Sequence, residues 1–183
     1  MTVPLKLATL AIALIGGATL APPSLAALKV GAKAPAFSAP AYLAGNPFTF
    51  TLADAEKKGP VVVYFFPAPH TSGCNVEAHM FSEAIDQFKA QGATVIGVTA
   101  GNLDQLAAFS KETEFCGGKF PVAADTGAKI ARQYDALLML KPGWSNRTSY
   151  VISQAGTIVH VYSALSPKEH VKQTLAAVKA LKK

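Results

Sequence analysis

The chain has 183 residues, half of them apolar, which is enough to bury one core of ordinary size and makes a second domain improbable. Lys and Arg number 17 against 11 Asp and Glu, a formal charge of +6 spread along the chain apart from Lys179, Lys182 and Lys183 at its end. With no basic stripe interleaved with aromatics, this excludes a nucleic-acid surface.

Residues 1–26 contain one charge, Lys6, the apolar run LATLAIALIGGATL and small residues at Ser24 and Ala26. They read as a secretory signal peptide cut before Ala27. A membrane span needs about 20 apolar residues, whereas this run is shorter and is broken by Gly16, Gly17 and a double proline. The expectation is an exported domain over 27–183, of net charge +6 − 1 = +5, with no stable membrane association. Two cysteines in an exported chain form a structural disulfide by default.

FTFTLAD, from residue 48, reads as a strand of an N-terminal hairpin, and VVVYFFP at 61–67 reads as a strand buried on both faces before a proline ends it. A helix is expected from about Cys74, with Phe81, Ala84, Ile85 and Phe88 on one face and Gly92 as its stop. ATVIGVT is a strand. LDQLAAFSKETEF is a helix with Asn102 as N-cap, FPVAAD a strand and GAKIARQYD a short helix. TSYVIS and TIVHVYSA are strands flanking Gly156. A last helix begins with Ser166 as N-cap, Pro167 at its first position and Glu169 closing a capping box, and turns Val171, Leu175 and Val178 inward. Parallel βαβ units followed by a hairpin and a closing helix describe an α/β fold of the thioredoxin-like layout, a central mixed sheet flanked by helices.

Cys74 thus sits just past the C-terminal end of a buried strand, where open α/β sheets bind ligands. Thiolate is the nucleophilic form of cysteine, and an ordinary thiol of pKa about 8.5 is only slightly ionised at neutral pH. The unpaired N–H groups of a helix N-terminus and a guanidinium both favour thiolate. Glu77, three residues on, suits the helix dipole but opposes a thiolate beside it.

Pro67, Thr71 and Cys74 spell P-x-x-x-T-x-x-C, which resembles the active-site signature of the peroxiredoxins. VGAKAPAF at 30–37 is similar to the family's G-x-x-A-P-x-F opening, and NRTSYVISQAGTIVHVY resembles its arginine-bearing segment, with Arg147 in that place. The likeness covers 29–183 and is greatest to the bacterioferritin-comigratory, or Q-type, branch. It implies a peroxidase acting on hydrogen peroxide or organic hydroperoxides. Cys74 would become a sulfenic acid, Thr71, Arg147 and backbone N–H groups would hold the oxygens, Glu77 would orient Arg147, and Pro67 would complete the motif. A thioredoxin-like dithiol protein would reduce the product of a monomer or weak dimer that needs neither cofactor nor metal. With the leader, the resemblance places the chain in the bacterial periplasm.

Part of the branch carries its resolving cysteine five places after the first, where this chain has His79. Other members carry it on the next helix, where Cys116 falls, so Cys116 is the expected resolving residue, held apart from Cys74 until the first turn around Cys74, the segment near Cys116, or both unwind. The rival reading is a non-catalytic module with a permanent Cys74–Cys116 bridge, which a loop of that length would stabilise by about 4 kcal/mol. A C-x-x-C reductase is excluded by Glu77, and a C-x-x-x-C copper site by Ala78. A metal site of His70, Cys74 and His79 fails because a helix turns 74 and 79 to different faces. The sequon Asn146, Arg147, Thr148 reads as chance, since a glycan there would block the site.

Overall fold

The structure is a computed structural model describing residues 27–181, so the leader expected over 1–26 lies outside the described residues. A hairpin opens the fold. Its strands β1 (Ser38–Leu43) and β2 (Asn46–Thr51) pair antiparallel, and the turn runs through Ala44 and Gly45, both at positive φ, which matches the twist of a two-residue connection. There follow α1 (Leu52–Glu56), β3 (Val61–Phe65), α2 (Ser72–Ala90), β4 (Thr94–Thr99), a 3₁₀ turn (Leu103–Gln105) and α3 (Leu106–Lys111). The chain continues through β5 (Val122–Ala124), α4 (Lys129–Gln133), β6 (Thr148–Ile152), β7 (Ile158–Ser163) and α5 (His170–Ala180). The strands make one mixed sheet in the order β2-β1-β5-β4-β3-β6-β7. β3, β4 and β5 run parallel, as two βαβ crossovers demand, and β6 and β7 pair antiparallel.

Alternation along β3 divides the core between the two faces of the sheet. Val61, Val63 and Phe65 pack with Ile96, Tyr134, Tyr150 and Ile152 on one side. Val62, Tyr64 and Phe66 pack on the other with Phe81, Ile85 and Phe88 of α2, Phe109 of α3, and Val171, Leu175 and Val178 of α5. Both cysteines belong to this second face. No helix among the described residues is long and apolar enough to cross a membrane.

Three element boundaries differ from the expected ones. The helix after β3 starts two residues before Cys74, at Ser72. The helix expected over 103–115 is a 3₁₀ turn joined to a six-residue α3, because Asn102 adopts the left-handed conformation without a side-chain cap and Glu112 is extended. Beyond α3, the N–H groups of Phe115 and Gly117 both turn back to the Glu112 carbonyl. The last helix begins at His170 with Glu169 before it and no side-chain cap, so Ser166, Pro167 and Glu169 do not form the expected capping box. The connection before it is held instead by two carbonyls, Ala164 accepting from His170 and Leu165 from Arg147.

Candidate active site

The ladder of β3 ends where Phe66 N donates to the Val98 carbonyl at 3.1 Å. Pro67 has no N–H with which to continue it, and its carbonyl accepts from the Thr99 hydroxyl at 2.9 Å. The chain then turns through His70, a non-glycine residue at φ 57°. Thr71 is the N-cap of α2 by its backbone, but its hydroxyl donates to the Ala68 carbonyl at 3.0 Å and not into the helix. Asn75 N closes the first turn on the Thr71 carbonyl at 2.9 Å. The N–H groups of the residues before it, Ser72, Gly73 and Cys74, lie ahead of the intrahelical ladder.

Cys74 is 1% exposed and Arg147 4% exposed. Arg147 Nη2 lies 3.4 Å from Cys74 Sγ, while Nη1 donates a buried hydrogen bond to Glu77 Oε2. Nε donates to the Leu165 carbonyl at 2.8 Å, so the guanidinium fork is fixed on three sides. Space is the reason for Gly73, since a Cβ there would sit 3.0 Å from Arg147 Nη2. Burial works against the charge on Arg147, but Glu77 and Cys74 outweigh it and the guanidinium is held above its ordinary value. Burial pushes the Glu77 carboxyl up to about 8, in spite of Arg147 against it. The structure therefore brings together Pro67, Thr71, Cys74, Glu77 and Arg147 at one end of β3 and α2.

Cys116 lies elsewhere on the same core face. It sits beyond α3 in the turn spanning 113–118, completely buried. Gly117 and Gly118, at φ 58° and 67°, supply the left-handed backbone of that turn. A Cβ on Gly117 would lie 3.2 Å from Ser82 Oγ, and Lys119 Nζ reaches the Ser82 carbonyl at 3.2 Å, so the turn rests on α2 beside Ser82. Ser82 is eight residues along the helix from Cys74, roughly 12 Å at 1.5 Å per residue. Burial, with a smaller contribution from Glu112, pushes the Cys116 thiol far above its ordinary value. The two cysteines are unbonded, so the permanent bridge of the rival reading is not present. His79 is on the exposed side of α2.

Sequence reasoning missed three partners. His70 Nδ1 is 2.8 Å from Gln105 Oε1 and Nε2 is 2.9 Å from Glu112 Oε2, with the ring set edge-on against Phe109 and Phe115. This joins the loop before Cys74 to the turn bearing Cys116. Burial lowers the tendency of His70 to protonate, but its bonds to Gln105 and Glu112 and the Glu112 charge raise it more. His170 and Ser149 lie behind Glu77, His170 Nδ1 being 2.8 Å from Ser149 Oγ. Nothing in the sequence separates His170 from the apolar stripe it shares with Val171 and Thr174.

The AhpC/TSA family model matches residues 30–161. Peroxiredoxin Q from the chloroplast of Sedum lineare is 32% identical over 75% of this chain and 77% of its own length. The chloroplastic peroxiredoxin Q of Gentiana triflora is 32% identical over 70% of this chain and 63% of its own. Among solved structures, peroxidoxin BcpB of Mycobacterium tuberculosis superposes with a TM-score of 0.75 at 25% identity, covering 85% of this chain and 99% of that one. The reduced 2-Cys peroxiredoxin of Plasmodium vivax, 23% identical, shares the fold with the same TM-score over 84% of this chain and 81% of its own. These relatives correct one expectation: the curated homologues are chloroplastic proteins, which speaks against the expected bacterial periplasm. The match over 30–161 and the Q-type relatives, on a fold that holds the P-x-x-x-T-x-x-C residues and the arginine at one site, show that the chain belongs to the AhpC/TSA family, the peroxiredoxins, and is a thiol-dependent peroxidase.

Proposed function

We propose that residues 27–183 form a peroxidase domain in which Cys74 is the attacking thiolate and Cys116 the resolving thiol. The observation that carries this reading is the 3.4 Å contact of Arg147 Nη2 with Cys74 Sγ at the start of α2. In the first step the Cys74 sulfur attacks one peroxide oxygen and the O–O bond breaks. The departing oxygen takes a proton and leaves as water or an alcohol, and Cys74 is left as a sulfenic acid. Arg147 and the N–H groups at the start of α2 are placed to stabilise the charge that grows on the leaving oxygen. The Thr71 proton is engaged by the Ala68 carbonyl, so its hydroxyl oxygen offers lone pairs to the O–H of the incoming peroxide. Pro67 ends the strand and fixes this loop, and Glu77 orients the arginine.

In the second step the Cys116 thiol displaces the sulfenic hydroxyl as water and forms a 74–116 disulfide. A thioredoxin-like dithiol protein then returns both thiols by exchange, becoming oxidised itself. The separation of the cysteines along α2 means that the first turn of α2 and the turn spanning 113–118 open between the two steps. The domain acts as a monomer or weak dimer. Peroxide consumption with a dithiol-protein reductant tests the assignment. Cys74→Ser is expected to abolish turnover while the thermal transition is retained, and turnover above a trace in that variant would reject Cys74 as the nucleophile.

A further inference from the structure

Glu77 Oε1 is buried and has no hydrogen-bond partner. It faces His170 Nδ1 across 3.6 Å, and both side chains are completely buried. The protonation of the ring follows from its other contacts. Nε2 is 2.9 Å from the Ala164 carbonyl, which can only accept, so Nε2 carries a hydrogen. Nδ1 is 2.8 Å from Ser149 Oγ. A proton on Nδ1 as well would set a second cation beside Arg147 in a site closed to water. Nδ1 is therefore bare, and the Ser149 hydroxyl donates to it.

An ionised Glu77 would then turn a second acceptor toward that lone pair, with no donor for Oε1. A hydrogen on Oε1 removes the conflict: across 3.6 Å it is not a hydrogen bond, but it turns a positive dipole in place of a charged acceptor toward the Nδ1 that already accepts from Ser149. The remaining groups around the pair do not supply a donor. Arg147, from the segment before β6, occupies Oε2. Cys74 is on the far side of Arg147. Tyr64 of β3, kept neutral by burial, makes no hydrogen bond to Glu77 with its hydroxyl. Tyr162 of β7 presents its ring to His170 with centroids 4.8 Å apart. On α5 itself Lys172 pairs outward with Glu169.

We propose that His170 is a positioning residue for the peroxide step: its bare Nδ1 keeps Glu77 in the protonated form, so that the Arg147 charge is left for Cys74 and the oxygens it attacks. The values of the two groups agree with this. Burial holds Glu77 at about 8, and burial and Arg147 draw His170 down to about 4 although the Ala164 carbonyl acts the other way. The arrangement also removes the conflict visible in the sequence, a carboxyl in the first turns of a helix that must support a thiolate. One short segment fixes both partners, since the adjacent carbonyls of Ala164 and Leu165 hold His170 and Arg147.

The proposal rests on Cys74 as the nucleophile, so its test reads Cys74 ionisation and not turnover. The full chain is alkylated with iodoacetamide across a pH series, and modification of the Cys74 peptide is followed by mass spectrometry. In His170→Gln the side-chain amide donates to Glu77 Oε1, the carboxyl ionises, and the alkylation profile moves up by about one pH unit. Adding Glu77→Gln to the same chain removes the ionisable partner and returns the profile to the wild-type range. An unmoved profile in a folded His170→Gln, or a shift that persists in the double variant, overturns the proposal, because a packing defect does not depend on the charge at position 77. A second measurement needs no change at His170. The infrared difference spectrum between wild type and Glu77→Gln at neutral pH is expected to show the C=O band of a protonated buried carboxyl, and its absence overturns the proposal equally.

Discussion

Arg147 meets Cys74 and Glu77 through different nitrogens of one fork while a third is held by a backbone carbonyl. A lysine could satisfy one of these partners but not all three from a fixed position. Arg147→Lys is therefore expected to keep the fold and slow Cys74 oxidation. Losing one charge-assisted bond of about 1.5–3 kcal/mol corresponds to roughly 10- to 100-fold in rate. Stopped-flow tryptophan fluorescence on mixing with peroxide checks this, and an unchanged rate would remove Arg147 from the reacting centre. At this scale the sequence identified Arg147 and Glu77 through their family positions. The atoms they use depend on Leu165, 18 residues further on, which no motif contains. The Thr71 hydroxyl illustrates the same limit: its choice of the Ala68 carbonyl over the helix N–H groups is made by the loop.

In the proposed resolving step two segments move, and His70 ties them together. Its backbone is held at positive φ, a state that costs a non-glycine residue of order 1 kcal/mol, while its ring is bonded to Gln105 and Glu112 and set against Phe109 and Phe115. With its protonation favoured by these bonds, the latch is strongest at low pH and weakens as pH rises through the raised value. His70→Ala is expected to lower hydrogen-exchange protection at 70–75 and 112–118 and leave β3 and β4 protected, and raising the pH should lower protection there in the wild type only, once the base-catalysed rise in intrinsic exchange is divided out. Equal exchange in both proteins would separate His70 from this opening. The long helices were legible because α2 and α5 repeat apolar residues every three or four positions. The end of α3 was not, because its sequence stays helix-compatible through Phe115 and the break at Glu112 is made by a turn whose left-handed glycines follow only later.

For the molecule as a whole, the strand order follows from a sequence in which parallel units precede a hairpin, and the division of the core follows from alternation in β3. Buried polar groups were not legible, since Glu77, Arg147, Ser149 and His170 acquire meaning only when α2, β6 and α5 converge. Titration of Glu77 and His170, together with His70, gives stability a pH dependence. Between about 4 and 6.5 the unfolded chain binds a proton at His170 that the folded chain refuses, so this group favours folding as pH rises. Glu77 opposes it above 4.5, since the folded chain keeps a proton that the unfolded one loses. Up to about 8 the folded chain alone retains the Glu77 proton, and above 6.5 the raised His70 adds to this, so stability is expected to fall as pH rises through that range. Urea midpoints at intervals of pH check this, and Glu77→Gln should flatten the fall without removing the His70 share. That Cys74 is the residue peroxide oxidises is tested most directly by adding one equivalent of peroxide to the Cys116→Ser protein in the presence of dimedone and mapping the adduct by peptide mass. A single adduct on Cys74, in an amount matching the peroxide consumed, is expected. Consumption of peroxide with Cys74 unmodified would contradict it.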